Sequence, residues 1–246
     1  MTINGWDISE AEAVQWNVTP GFQSISNDSE WVRGSPMPVL IGNTTGFKPI
    51  KVTLLVKADR DRQAILQRCS RILSHLLEPA ELVLDDFAHK LYGILTKHTL
   101  TENPLDVPFV KFNRAAKLTL EFSCYEYADT VTQTFTGQAQ ISVTNPGNII
   151  TPVRVEITPQ TSVASMVITG LCREAGTGKD LPVAIGELVT GKTVILDGET
   201  GLFTQGGEVK KELEIWGLPA LLPGTNIITV NNSWTDITLK YRPRFM

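Results

Sequence analysis

From residue 135 onward, turn signals recur about every 8–12 residues and no helical periodicity interrupts them. Spacing this short leaves room only for strands, so the second half must build its core by stacking sheets. The candidate strands are Val153–Ile157, Ser165–Ile168, Thr193–Leu196, Gly201–Phe203, Val209–Ile215, Asn226–Val230 and Asp236–Tyr241. Asp197-Gly198 reads as a hairpin turn between two of them. The expected architecture over 135–246 is a β-sandwich or jelly-roll.

The first region, 1–134, reads as α+β. Ala13–Val18 is a short strand, and Lys48–Lys57 a clear one, with Ile50, Val52, Leu54 and Val56 in partial alternation. Residues 20–46 are rich in Gly, Ser, Asn and Pro, and read as a long exposed loop or hairpin around Trp31 and Arg33. One long amphipathic helix follows. Asp59 is its expected N-cap, Ile65, Leu66, Cys69, Ile72, Leu73, Leu76 and Leu77 form its apolar stripe, and Pro79 ends it. Glu81–Asp86 and Lys90–Leu95 read as paired strands with a turn near Asp86, and 99–108 as loop. In Ala116–Tyr127, Leu118, Leu120, Phe122 and Cys124 alternate with polar residues, as in a half-buried antiparallel strand. Thr130–Gln140, rich in Thr, Gln and Gly, is the expected linker.

A chain of 246 residues exceeds the usual single-domain size and suits two cores. The net charge of -4 provides no basic field for nucleic acid or anionic lipid. Arg60, Arg62, Arg68 and Arg71 interleave with Asp59 and Asp61 on the helix, which reads as a solvated face. No basic n-region precedes an apolar core at Met1–Asp7, so no secretory signal is expected. No apolar run approaches the roughly 18–20 residues that span a bilayer. The three cysteines, Cys69, Cys124 and Cys172, are widely spaced and read as small apolar residues. Sequons at Asn17, Asn27, Asn43 and Asn231 read as turn composition.

The residue types that carry chemistry are present but not arranged for it. Gly176-Thr177-Gly178-Lys179 imitates a phosphate loop, but Arg173 stands where the first Gly belongs and Asp180 where a Ser or Thr would hold magnesium. His75, His89 and His98 have no metal-ligand spacing. Asp85 with Asp86, and Asp197 with Glu199, read as turn carboxylates rather than a glycosidase pair or a calcium loop. No catalytic residue, metal or cofactor is expected. The five tryptophans are Trp6, Trp16, Trp31, Trp216 and Trp234. They read as half-buried at strand ends or interfaces, while Trp216 and Trp234 keep open a carbohydrate-binding alternative.

The C-terminal run carries the most specific pattern. Pro223-Gly224-Thr225-Asn226 turns into Ile227-Ile228-Thr229-Val230, Asn231-Asn232-Ser233 turns again, and Asp236 leads to Lys240-Tyr241-Arg242-Pro243-Arg244-Phe245. This order resembles the C-terminus of the distal tail protein family of siphovirus-like phages. Asn145-Pro146-Gly147 through Ile157 also resembles that family's entry into its second domain, and residues 13–77 resemble its first domain in pattern.

The resemblance implies a structural virion protein with no enzymatic activity. Its first domain, 1–134, would close a homohexameric ring through sheet edges and loops. Its second, 135–246, would be a galectin-like β-sandwich. The ring would join the tail tube protein to the tail-associated hub or tip protein at the distal end of the tail. It would act as an assembly hub for host adsorption, with receptor-binding proteins at its periphery, after synthesis in the host cytoplasm. Long polar-aromatic loops suit heterologous, ring-closing contacts, and Trp31 and Arg33 are the expected interface residues. The rival classes are a carbohydrate-binding module, a cell-wall hydrolase of the tail tip, and another baseplate component.

Overall fold

The computed structural model describes all residues except 32, 35, 58–60, 102–114, 175, 176 and 233, and leaves the side chains of 39–45 undescribed. Apart from one α-helix and a 3₁₀ turn at Ile8–Ala11, its regular elements are strands. The chain divides into two compact units, Met1–Tyr127 with Met246, and Ala128–Phe245.

The first unit is one antiparallel sheet with a helix on one face. Its strands are β1 (Thr2–Ile3), β2 (Trp6–Asp7), β3 (Ala13–Pro20), β4 (Ile25–Glu30), β5 (Val39–Thr45), β6 (Lys48–Lys57), β7 (Ala80–Val83), β8 (Lys90–Thr101) and β9 (Ala115–Tyr127). The sheet order is β2-β1-β7-β8-β9-β6-β3, while β4 and β5 pair only with each other. The alternation in β9 does what it implies. Ala116, Leu118, Leu120, Phe122 and Cys124 turn inward and are buried beside Ile50, Val52, Leu54 and Val56 of β6. Each of the Leu, Ile, Val and Phe side chains among them contributes about 1.5–3 kcal/mol by leaving water.

The helix α1 (Arg62–Ser74) lays Ile65, Cys69 and Ile72 into that core. Its N-cap is Asp61, whose carboxylate accepts the Gln63 N–H at 2.8 Å. Asp59, the expected cap, and Arg60 lie outside the described residues. The buried stripe is narrower than expected, because Leu66 and Leu77 face solvent. Asp86 makes the expected turn at φ +67°. The expected loop from residue 99 starts later, since Thr99–Thr101 complete β8 against β9, and 102–108 lie outside the described residues.

The second unit stacks two antiparallel sheets. Its strands are β10 (Val131–Thr136), β11 (Gln140–Asn145), β12 (Thr151–Pro159), β13 (Val163–Arg173), β14 (Asp180–Leu188), β15 (Val194–Asp197), β16 (Phe203–Gln205), β17 (Glu208–Val209), β18 (Leu213–Glu214), β19 (Ala220–Leu221), β20 (Gly224–Val230) and β21 (Thr235–Tyr241). One sheet runs β10-β21-β12-β15-β16-β17, with β19 on β12, and the other β11-β20-β13-β14-β18. Their inward residues form one core cluster, including Val153, Val155 and Leu239 from the first sheet and Ile168, Ile185 and Ile228 from the second.

Two sequence expectations change here. Thr130–Gln140 is not a linker, because Val131–Thr136 is edge strand β10, paired with β21 and packing Val131 and Phe135 on the core. The units therefore divide after Tyr127, earlier than the expected 134/135 boundary. The two C-terminal strands belong to different sheets, and the chain passes from β20 in one sheet to β21 in the other. The expected single strand Val209–Ile215 is split, with β17 and β18 in different sheets. Between them Lys210 buries its ammonium against Glu187 O, Gln205 Oε1 and Glu212 Oε2.

Candidate assembly interface

The most unusual feature of the first unit is the ribbon β4–β5. It continues the β3–β6 hairpin beyond the sheet. Gly21 N–H donates to Pro49 O at 2.8 Å, Gly46 N–H donates to Ser24 O at 2.8 Å, and Ile25 then pairs with Thr45. Gly21 is required by close approach to backbone, and Gly46 leaves room for the Ser24 hydroxyl. A Cβ on Gly21 would lie 2.8 Å from Pro49 O, and one on Gly46 would lie 2.3 Å from Ser24 Oγ. Beyond this pinch the strands lose their third partner, since β9 pairs with β6 only from Lys48 to Lys57.

All six residues of β4 are exposed, so neither of its faces has a core. The ribbon reaches about 20 Å at roughly 3.3 Å per residue. An isolated two-stranded ribbon is marginal in water. Around it stand large apolar side chains that globular packing would normally cover: Phe22 is 90% exposed, Trp31 68%, Met37 68% and Phe47 65%. Phe22 and Phe47 flank the base of the ribbon, and Trp31 and Met37 belong to the connection at its far end.

The structure places both expected interface residues in the β4–β5 connection, Trp31 directly after β4 and Arg33 beside Gly34 at φ +91°. Both are exposed. Sequence reasoning passed over Phe22, Met37 and Phe47. The available signal was the isolation of bulky apolar residues within a Gly/Ser/Asn-rich stretch, which leaves them no local core.

The base of the ribbon is rigid. Lys48, the first residue of β6, is buried and forms an ion pair with Glu126 of β9. Glu126 Oε1 lies 2.8 Å from His89 Nδ1. Burial raises the Glu126 carboxyl, but the hydrogen bonds from Lys48 and His89 outweigh it and hold the carboxyl below its ordinary range. Cys124 donates to Lys48 O at 3.3 Å, and burial pushes its thiol up to about 12. That thiol is a packing group, not a nucleophile.

The sheet edge nearest the ribbon is also decorated. β3 is an edge strand whose register slips between Gln15 and Asn17, and Trp16 sits in that bulge 65% exposed. The tryptophans thus differ from expectation. Trp6 alone is half-buried, stacked 4.2 Å from His75 at 9° with Arg71 above it. Trp16, Trp31, Trp216 and Trp234 are exposed, because nothing within their own unit covers them.

The remaining candidates stay apart. Asp85 accepts from the N-terminal ammonium of Met1 at 2.7 Å. Asp197 caps its own turn through the N–H groups of Glu199 and Thr200, and Glu199 pairs with Arg244 at 2.9 Å. The Gly178-Lys179 stretch belongs to the β13–β14 turn, closed by Arg173–Asp180 at 3.1 Å, and Gly176 lies outside the described residues. Among the described residues no group of three or more His, Cys, Asp or Glu is arranged to hold a metal. No helix among them is long and apolar enough to cross a membrane.

No protein-family profile matches the sequence, and no curated protein is similar to it in sequence. Solved structures are similar in shape. The SPP1 Dit (gp 19.1) protein, described as a paradigm of the hub adsorption apparatus in phages infecting Gram-positive bacteria, is 15% identical, with a TM-score of 0.74 over 99% of this chain and 98% of its own. The chain has the fold of that Dit protein from end to end. A chain of the phage P2 baseplate in its activated, calcium-bound conformation is 10% identical, with a TM-score of 0.46 over 97% of this chain and 92% of its own.

Proposed function

We propose that this chain is a structural protein of the distal end of a phage tail, where it serves as the hub that joins tail tube to tip or baseplate. The observation that carries the reading is the β4–β5 ribbon, in which every residue of β4 is exposed, with exposed Phe22 and Phe47 at its base and exposed Trp31 and Met37 in its connection. Such an element gains its stability from another chain. The end-to-end likeness to the SPP1 Dit fold supports the same role.

In this reading the first unit, with its helix on one sheet, closes a homohexameric ring, and the ribbon with Trp31 and Arg33 bridges neighbours or reaches the tube. The second unit is the galectin-like sandwich and faces peripheral host-adsorption proteins. Tail tube protein and hub or tip protein bind the two rims of the ring. The role needs no catalytic residue and no cofactor, and places the protein in the virion after synthesis in the host cytoplasm.

Light scattering of the purified chain, with negative-stain images of the same fraction, tests the reading. Closed six-fold rings are expected, alone or once tail tube protein is added. A chain that stays monomeric with tail tube protein and does not add to tube ends overturns it. If rings and tube attachment survive replacement of both Trp31 and Arg33 by Ala, the hub role stands but those two residues lose their place in the interface.

A further inference from the structure

We propose that the free edge of β10 (Val131–Thr136) accepts an extended, uncharged segment of another protein as an added strand. The site belongs to the second unit alone. The choice of another protein over a second copy of this chain rests on the hub reading.

β10 ends its sheet, and no strand among the described residues pairs with its other side. Its six residues stay in unbroken register with β21, from Val131 on Tyr241 to Thr136 on Asp236. Alternate residues of such a strand aim their N–H and C=O groups away from the neighbour, which makes a template for another strand. Natural edges are blunted by shortness, charge, proline or a bulge. Most other edges of the larger sheets show these devices. β2, β17 and β18 have two residues each and carry Asp7, Glu208 and Glu214. β3 slips register at Trp16 and ends in Pro20. β10 has no charge, no proline and no bulge.

The edge is also incompletely covered. Tyr241, Leu239 and Ile237 of β21 point inward and are 3%, 0% and 2% exposed. Their partners in the same row, Val131, Gln133 and Phe135, are only half-buried, although Val131 and Phe135 pack on the core. One more strand would cover that row. β11 is the other long, uncharged edge, but its inward Ile141, Val143 and Asn145 are already buried, so a strand there gains little. β10 is fixed at both ends, where Ala128 N–H donates to Pro243 O at 2.9 Å and Gly137 N–H donates to Thr235 O at 3.4 Å. Between them Thr134 Oγ1 lies 2.9 Å from Thr238 Oγ1. A fixed edge loses little freedom when a partner adds to it.

The two rows of β10 define what the added strand carries. Its inner row faces Val131, Gln133 and Phe135, so apolar residues at alternate positions fit, and a charge there would be buried without a partner. The outer row, Thr132, Thr134 and Thr136, is exposed and suits β-branched or hydroxyl side chains opposite. Main-chain hydrogen bonds supply the affinity, as in strand addition generally. A second copy meets the same chemical description, since Val131 and Phe135 lie symmetrically about Gln133. A two-fold contact on every subunit, however, would tie whole rings to one another. An extended segment of a peripheral protein adds to each subunit of a ring without that consequence.

The test titrates the whole chain with a capped peptide of alternating threonine and valine, and with a second peptide in which proline replaces the central residue. Amide NMR reads where each binds. Saturable binding of the first peptide is expected, with shifts and slowed exchange at Val131–Thr136, and no binding of the proline peptide. Gln133→Lys, which aims a charge into the inner row, should weaken binding about tenfold, and Gln133→Val should keep it, both with unchanged circular dichroism. No saturable binding up to about 10 mM, binding at β11 or β3 instead, or equal binding by the proline peptide or by Gln133→Lys overturns the proposal. Pairing of chains or of rings that Gln133→Lys abolishes in light scattering also overturns it, because a second copy would then be the occupant. Ring formation is read in the same light scattering. A chain that forms no ring but binds the peptide at β10 removes the hub reading and leaves the strand site standing.

Discussion

β6 and the β4–β5 ribbon are stretches of one long hairpin, yet they are built on opposite terms. In β6, Ile50, Val52, Leu54 and Val56 are each at most 2% exposed, and two flanking strands satisfy the backbone. A few residues earlier, past the Gly21–Gly46 pinch, the ribbon has one ladder, every residue of β4 is exposed, and Trp31 after it stands in water. The difference separates two jobs. β6 stabilises the unit by itself, whereas the ribbon has little to lose on its own and much to gain on a partner. Side chains should therefore have large effects on folding in the sheet and on association in the ribbon.

The strongest test of this contrast lies in the sheet core. Phe122→Ala should destabilise the first unit by about 3–5 kcal/mol, seen as a lower denaturant midpoint. Lys48→Ala comes next. It removes the cationic partner of Glu126 and leaves the carboxylate with His89 at a site where the Lys48 and Glu126 side chains are 10% and 14% exposed, and should cost about 3 kcal/mol. A loss below about 0.5 kcal/mol would mean that the ribbon base is not rigidly anchored.

The second unit provides a smaller, pH-dependent effect. Burial raises the Glu156 carboxyl, but hydrogen bonds from Lys240 and Arg154 outweigh it and leave it below its ordinary value of 4.5. A depressed carboxyl contributes stability above its unfolded value and loses it as pH falls through its folded value. Thermal stability of this unit should therefore drop on acidification below about pH 4.5, and Glu156→Gln should flatten that slope. The amplitude is about 1 kcal/mol or less, since solvent screens this pair. A steeper acid slope in Glu156→Gln would contradict the assignment.

The smallest effect on folding belongs to the ribbon. Replacing Trp31 and Arg33 together by Ala should change chain stability by no more than about 0.5 kcal/mol. The same change should raise the concentration needed for assembly by roughly tenfold or more, as loss of an aromatic and an Arg anchor does at interfaces. A large loss of monomer stability with unchanged assembly would reverse the comparison.

Much of this contrast was readable in the sequence, though unevenly. β9 and α1 announce themselves because one face is buried, and burial imposes a period of two or of three to four residues. β10 did not, because an edge strand needs only Val131 and Phe135 inward and fills the rest with Thr and Gln, which reads as linker. Periodicity also marks β20 and β21 as strands without saying that they lie in different sheets, a choice made by long-range pairing with β12 and β13. The ribbon was legible only as composition. With no core to face, β4 carries no period, so Trp31 and Arg33 stood out while Phe22, Met37 and Phe47 did not.

Amide hydrogen exchange of β4 tests the central claim most directly. It would be followed by mass spectrometry in dilute chain and again in the assembled, ring-containing fraction. The Ile25–Glu30 amides should exchange rapidly in the dilute chain, as in an unsupported ribbon, and become protected at least tenfold on assembly, while those of β6 stay protected in both. Equal exchange of Ile25–Glu30 in the two fractions would contradict the claim that the ribbon is completed by another chain.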